Sequence, residues 1–432
     1  MTGLALAGSS RLRLASFFIL YFSQGLPIGF LRLVIPAWVA ANGASAADVA
    51  LILGATSLPW ALKFVFAFLV DRYSFQPIGR RRSWILSAQI IIIAVLVLAA
   101  VRSPEASDVK VLAAIGFTLQ ACTSVHDVAI DGLAVDLIGA DERPRMSAWM
   151  FGGQALGTAV AALLGGVTTT QFGPVPAYLA LALGFSALLA MGLMIRERAG
   201  EARFPWRKSE VDQENVIQID LKWRGVLAIA FSQLIKPASL VFLPVAFLKG
   251  IQTGVFVGAT PLISASLLNW QADTYGKLAG AVTVIAAIVA MTIVGRIVAR
   301  FGTSSPLTAT FGLFVLLDLV ALSGTLDWRS PLQFVAFSTV WVIGDVVSMT
   351  LVMALALGLS DKRVGAIQFA IYMGLANLGN AAGASAIGLS DWLGGPTQLF
   401  AATLLSHIVL IGLTLFFFRP NGSGRKVGPS SC

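Results

Sequence analysis

The chain has 432 residues, of which 57% are hydrophobic and 12% charged, and a mean hydropathy of +0.84. Soluble domains carry about 25% charged residues, so this composition excludes an ordinary water-soluble enzyme or binding module. The net charge of +9 does not indicate a nucleic-acid partner, because the basic residues sort by loop.

The N-terminus is polar for only a dozen residues. The first apolar run, 14–40, is far longer than a signal-peptide core and reads as a retained span. Further runs, each long enough to cross the ~30 Å hydrocarbon layer, occupy 48–70, 83–101, 109–138, 146–168 and 175–195. A second set lies at 242–268, 276–298, 307–325, 331–358, 365–388 and 397–418. The expectation is an all-α polytopic membrane protein with twelve transmembrane helices. Residues 1–195 form an N-terminal six-helix bundle, 196–224 a cytoplasmic linker, 242–418 a C-terminal six-helix bundle and 419–432 a cytoplasmic tail. Segment 225–241 is apolar but broken by Lys236-Pro237, and reads as an interfacial helix leading into span seven; a span starting near 226 is the alternative. Cys122 lies inside a span and Cys432 ends the chain, so there is no disulfide framework.

Loops facing water alternate sides. With both termini inside, one side collects Arg11, Arg13, Arg72, Arg80–Arg82, Arg143, Arg145, the basic residues of 196–224, Arg296, Arg300, Lys362, Arg363 and the tail. The other holds only Arg102, Lys110, Lys277 and Arg329. The side rich in Lys and Arg is cytoplasmic.

The halves repeat one another. Asn42 matches Asn269, Gly54 matches Gly280 and Arg72 matches Arg300, while Asp127 followed by GADER corresponds to Asp345 followed by GLSDKR. Two six-helix halves joined by a basic loop resemble the plan of the major facilitator superfamily, implying two pseudo-symmetric six-helix bundles. The loop after span two resembles that superfamily's signature: Ala67, Asp71, Arg72, Gly79, Arg80, Arg81 and Arg82. Such a loop lets basic side chains bridge to carboxylates at nearby helix ends, with Asp136 or Glu142 as partner. SQGLP (23–27), PWALKFVFAFLVDRY (59–73), GRRRSWIL (79–86) and HDVAIDGLAVD (126–136) narrow the resemblance to the muropeptide permease and acetyl-coenzyme A transporter family. That family usually has Gln where this chain has His126.

Ionised groups at bilayer depth cost about 2.5–3.5 kcal/mol on insertion scales, so those present mark a cavity, partner or pathway. The deep charges are Arg32, Lys63, Asp127, Asp131, Lys249, Asp318 and Asp345. By the resemblance, spans one, four, seven and ten line the cavity, and five of these seven fall on them. Asp127 and Asp131, four apart on one helix face, are candidate proton sites together with His126 and Asp345. The alternative reading of the pair is a permanent ion pair with Lys63. Arg32, Gln24, Gln252, Lys249 and Asn377 are candidate substrate contacts; for Arg32 and Lys249 the competing reading is snorkelling to the headgroups. Lys63, Asp71, Arg72, Gly79, Arg80, Arg81, Arg82 and Asp136 are candidate structural or gating residues. Asp318 has no evident role, and His407 reads as a packing residue.

The expected function is alternating-access secondary transport, with protons as the coupling ion and a small-molecule solute as cargo. No G-x-x-x-x-G-K-[ST] motif for ATP is present, and neither cofactor nor metal is expected. The resemblance implies a monomer in the bacterial inner membrane importing a bulky polar or anionic solute, muropeptide first, siderophore second and acetyl-coenzyme A third. A non-transporting sensor and a membrane enzyme are the rival classes; with two histidines on different spans, an enzyme has no nucleophile–base or metal constellation.

Overall fold

In the computed structural model of the chain, residues 5–42, 46–73, 76–204, 206–207, 223–270, 272–386 and 393–417 are described. The tail expected at 419–432 and most of the linker lie outside them. Eleven of the described helices are long and apolar enough to cross a bilayer. In the first half these are Ser10–Val39, Leu51–Arg72, Arg82–Arg102, Val109–Leu137, Arg143–Phe172 and Val175–Met194 (spans one to six). The second half has Pro237–Thr260, Thr274–Phe301, Ser304–Leu322, Pro331–Leu359 and Thr397–Leu415 (spans seven to ten and twelve). A further helix, Gly365–Ser385, has 21 residues and is span eleven. Its glutamine, asparagines and glycines dilute its hydropathy, but at ~1.5 Å per residue it is long enough to cross.

Local chemistry sets the helix ends and bends. Ser9 caps span one by accepting from the Leu12 N–H at 3.3 Å. Pro237 and Pro331 open spans seven and ten at positions where a missing N–H costs nothing. Asn269 ends span seven's helix in the left-handed region (φ 53°), which Asn tolerates better than most residues. Pro59 disrupts span two, which breaks at Leu62 (φ −92°, ψ 6°) and restarts as Lys63–Arg72. Spans one and eight each contain a five-residue π segment, Phe30–Val34 and Ala290–Val294.

The segment before span seven differs from the expectation in its limits. A separate helix, Trp223–Leu234, precedes it, and span seven begins at Pro237 rather than 242. Lys236 is extended (ψ 142°) because the proline ring excludes the helical region from the residue before it.

The glycine-rich spans explain how each half is built. Spans one and five meet backbone to backbone: a methyl at Gly157 would overlap the carbonyl oxygen of Phe22, and Gly25 lies against Gln154. Spans seven and eleven repeat this, with Gly383 against the Ile251 carbonyl and Gly250 against Ala376. Small residues at both interfaces bring the helix backbones together where lipid offers no hydrophobic drive. Gly25 and Gly29 thus correspond to Gly250 and Gly254, a register that makes Gln24 the counterpart of Lys249.

The two halves touch at one end, the end bearing the arginine-rich loops. There Asp71 reaches the first turn of span eleven and Arg80 the segment before it, Gly365 faces Val135, Gly358 faces Arg143, and Gly295 faces Arg145.

Gly157→Leu and Gly383→Leu are each expected to lower stability by about 1–3 kcal/mol or more, the cost of overpacking a filled interface. Gly184→Ala, where an added methyl meets nothing within 4 Å, is the neutral control. Thermal unfolding in detergent, followed by size-exclusion recovery, measures all three.

Candidate functional site

In the first half, the break at Leu62 leaves Lys63 at the start of a helical segment. A helix N-terminus is an unfavourable place for a cation, so carboxylates must hold it there. Lys63 Nζ lies 2.6 Å from Asp127 Oδ2 and 3.2 Å from Asp131 Oδ2. Both carboxylates project from one face of span four, one turn apart. Tyr21 of span one donates its hydroxyl to Asp131 Oδ1. Trp60 covers the ammonium at 5.8 Å and is held by its own N–H to Gln120 Oε1 at 3.0 Å. All of these ionic groups are buried. One cation is therefore shared by two carboxylates out of contact with water.

The second half carries a smaller counterpart. Lys249 Nζ lies 2.6 Å from Asp345 Oδ1, and Thr253 bridges them, accepting from Lys249 and donating to Asp345, each at 2.8 Å. Here the charges cancel one to one. Lys249 is 2% exposed at its side chain, whereas Asp345 is 14% exposed.

At the end where the halves meet, the loop after span two forms a network. Asp71 Oδ1 forms an ion pair with Arg81 Nη2 at 2.6 Å and accepts from Arg80 at 3.3 Å, and its Oδ2 accepts from the Ile367 N–H of span eleven at 2.8 Å. Arg81 also donates to Asp136 at 3.1 Å, and Arg80 to the carbonyls of Lys362 and Arg363 at 3.1 and 3.2 Å. Arg82 satisfies carbonyls at the end of span six and beyond it, among them Gly192 at 2.8 Å, Leu193 at 2.9 Å and Ala202 at 3.0 Å. Beneath the loop, Glu197 accepts from the N–H groups of Arg81 (2.6 Å) and Arg82. Gly79 (φ 111°) lies against that carboxylate, in a conformation and a space closed to other residues. Asp71 and Arg80 thereby tie the first half to the second.

The family model described as Major Facilitator Superfamily matches residues 17–384. The chain belongs to the major facilitator superfamily. That family comprises membrane carriers rather than enzymes. The chain is 26% identical over 149 residues to the anhydromuropeptide permease of Escherichia coli K12, a match covering 34% of this chain and 30% of the permease. A putative transporter AmpG 4 of Rickettsia felis is 26% identical over 153 residues, covering 34% and 35%. Among solved structures, the human organic anion transporter MFSD10 superposes with a TM-score of 0.70 at 14% identity, covering 94% of this chain and 100% of that one. The transporter FucP in its outward conformation gives 0.70 at 11% identity, covering 94% and 98%. These structures share the superfamily fold with this chain.

The structure rearranges several sequence-based assignments. Lys249, expected as a substrate contact, is committed to Asp345 and Thr253. His126 stands apart from the carboxylates: its Nε2 is 3.2 Å from Gln89 Nε2 and its ring meets Phe185 edge-on, so it faces spans three and six. Adjacent residues on a helix do not share a face, which removes His126 from the proton-site group. Arg72 lies over the Tyr73 ring at 5.3 Å and takes no part in the salt bridges of Arg80 and Arg81. Glu142 pairs with Arg13 at 2.7 Å, leaving Asp136 as the loop's partner. Asp318, unexplained by sequence, is bonded to His407 at 2.6 Å and Thr403 at 3.0 Å between spans nine and twelve.

Gln24 is buried and accepts from Gln154 at 3.3 Å, whereas Gln252 is buried with neither amide atom paired. Arg32 and Asn377 are exposed and without partners among the described residues. Sequence reasoning missed Tyr21 and Thr253. Thr253 is four residues after Lys249, so helical spacing carried a signal; Tyr21 had none, because its contact joins distant spans. Glu197 and Glu201, in the polar stretch after span six, were also missed.

Burial, and then the nearby Glu201, push the Glu197 carboxyl up from 4.5 to about 7. Between these values the folded chain holds a proton that the unfolded chain has released. Its contribution favours the folded state at low pH and is lost as pH rises through about 7. Wild-type thermal stability is expected to fall between about pH 5 and pH 8 more steeply than that of Glu197→Gln, in which this titration is gone.

Proposed function

We propose that the chain is a proton-coupled importer of a bulky, anionic organic solute of the muropeptide type, with the solute bound between the two halves. It works in a bacterial inner membrane with both termini cytoplasmic, as a monomer. The observation that carries this reading is the charge count around Lys63. One ammonium faces two carboxylates in a site shielded from water, leaving one uncompensated negative charge in a low-dielectric medium. Uptake of a single proton by Asp127 or Asp131 neutralises the cluster without moving any helix, so the site suits a group that is loaded and unloaded. The Lys249–Asp345 pair, one cation to one acid, is the more exposed at Asp345.

Arg32 supports the anionic cargo. It is a permanent cation in the outer half of span one, exposed and without a carboxylate partner among the described residues, within a π segment of a kind that recurs at functional sites. The relatives named muropeptide permeases supply the cargo class, a sugar–peptide fragment bearing carboxylates. The network of Asp71, Arg80 and Arg81 closes the arginine-rich end, which in this reading corresponds to a carrier accessible from outside.

Uptake into proteoliposomes with and without an inward proton gradient tests the coupling. Asp127→Asn or Asp131→Asn is expected to abolish gradient-driven accumulation of an anhydromuropeptide while sparing exchange of internal for external solute. Retention of full accumulation by both variants would falsify the proton assignment.

Arg32→Gln is expected to weaken cargo affinity about tenfold or more, the worth of a charged hydrogen bond, with unfolding temperature unchanged. A binding titration against a neutral analogue lacking the carboxylates checks this: Arg32→Gln and wild type bind that analogue alike.

A further inference from the structure

An open groove of about 490 Å³ lies between spans eight, nine and ten, away from both lysine–carboxylate clusters. Val294, Ile297 and Phe301 form one wall, Ala309 and Leu313 the second, and Leu351 the third. Its size falls within the ~300–1,000 Å³ of small-molecule sites. The lining is almost entirely hydrocarbon. Thr310 also lines it, but its hydroxyl is spent on the Pro306 carbonyl of its own helix at 2.8 Å. The deep part of the groove therefore offers nothing to a sugar or a peptide and suits an acyl chain.

The mouth differs in character. Phe301 and Ser305 sit where span eight turns into span nine, at the arginine-rich face, and Ser305 is exposed and unpartnered among the described residues. Arg300 stacks on the Phe301 ring at 5.2 Å, and Arg296 lies one turn before it. Both arginines are exposed, and neither has an ion-pair partner among the described residues. Between Asp273 and Asp318 the chain contains no acidic residue. In the first half, the corresponding loop spends Arg80 and Arg81 on Asp71 and Asp136; here Arg296 donates only to the Thr292 carbonyl of its own helix, at 3.1 Å, and no acidic partner meets either arginine among the described residues.

We propose that this groove is a binding site for an anionic phospholipid of the leaflet on the arginine-rich side. One acyl chain lies between spans eight, nine and ten, and the phosphate is paired with Arg300 and Arg296. An apolar slot with two uncompensated cations at its rim has the charge and shape of such a lipid, and basic pockets between spans on this side of a membrane recruit acidic headgroups. The site is separate from the proposed solute path and does not depend on it.

Native mass spectrometry of the purified full chain, titrated with phosphatidylglycerol or with phosphatidylcholine of the same acyl chains, tests this. Wild type is expected to retain phosphatidylglycerol preferentially. Arg296→Gln/Arg300→Gln should lose roughly thirtyfold in phosphatidylglycerol affinity and much less in affinity for phosphatidylcholine, whose choline offsets the phosphate charge. Ala309→Phe, at an exposed wall position, fills the groove and weakens retention of both lipids. If that variant is not monodisperse, Leu313→Phe at the partly exposed neighbouring turn replaces it. Equal retention of the two lipids by wild type overturns the proposal, as does phosphatidylglycerol retention unaffected by the arginine substitutions. Retention unaffected by filling the groove overturns it as well.

Discussion

The ion pair between Lys63 and the two span-four carboxylates is the constraint around which the first half is arranged. None of the three groups is tolerable alone at that depth, because a lone charge in a low-dielectric interior has no solvent to stabilise it. Their proximity requires span two to break beside Pro59, span four to face it, and span one to bring Tyr21 from the other side. The second half meets the same requirement differently. Its cation comes from span seven, at the position that Gln24 holds in the first half, and its acid stands alone. Two related bundles thus differ at matching depth: one site pairs one cation with one acid, the other one cation with two acids.

Spans two and four carry both the buried cluster and the network at the closed end. Asp71 follows Lys63 by eight residues and Asp136 follows Asp131 by five, separations of ~12 and ~8 Å along a helix. A rigid rotation of either span moves the cluster and the network together. The glycine contacts between spans one and five, and between spans seven and eleven, make each half a tightly packed body. Between the halves the contacts gather at one end and combine apolar packing, such as Gly365 against Val135 and Gly152 against Met291, with the hydrogen bonds of Asp71 and Arg80. Such a division, backbone-tight within each half and joined between them at one end, is what rocking of one half against the other requires.

Much of this was legible in the sequence. Hydropathy located the spans, including the polar eleventh, because a membrane crossing demands a long apolar run whatever its neighbours. Loop charge set the expected orientation, and the cost of charge in lipid singled out Asp127, Asp131 and Asp345 before any contact was known. An ion pair with Lys63 is one of the two readings the sequence leaves open for Asp127 and Asp131, and the structure brings the three together. His126 was grouped with the acids by adjacency, yet adjacency along a helix points side chains to different neighbours. The Lys236-Pro237 break makes 225–241 read as one interfacial helix and puts the start of span seven at 242, whereas the helix already begins at Pro237.

The sequence by itself thus determined the membrane plan, the twofold repeat and the residue types too costly to be idle. Those follow from composition and period, which each segment satisfies alone. Only the tertiary structure decided which cation each acid receives. Lys249 goes to Asp345, His407 to Asp318, and Glu142 to Arg13 rather than to the loop. Pairing depends on which helix faces meet across the bundle, and no local pattern specifies that.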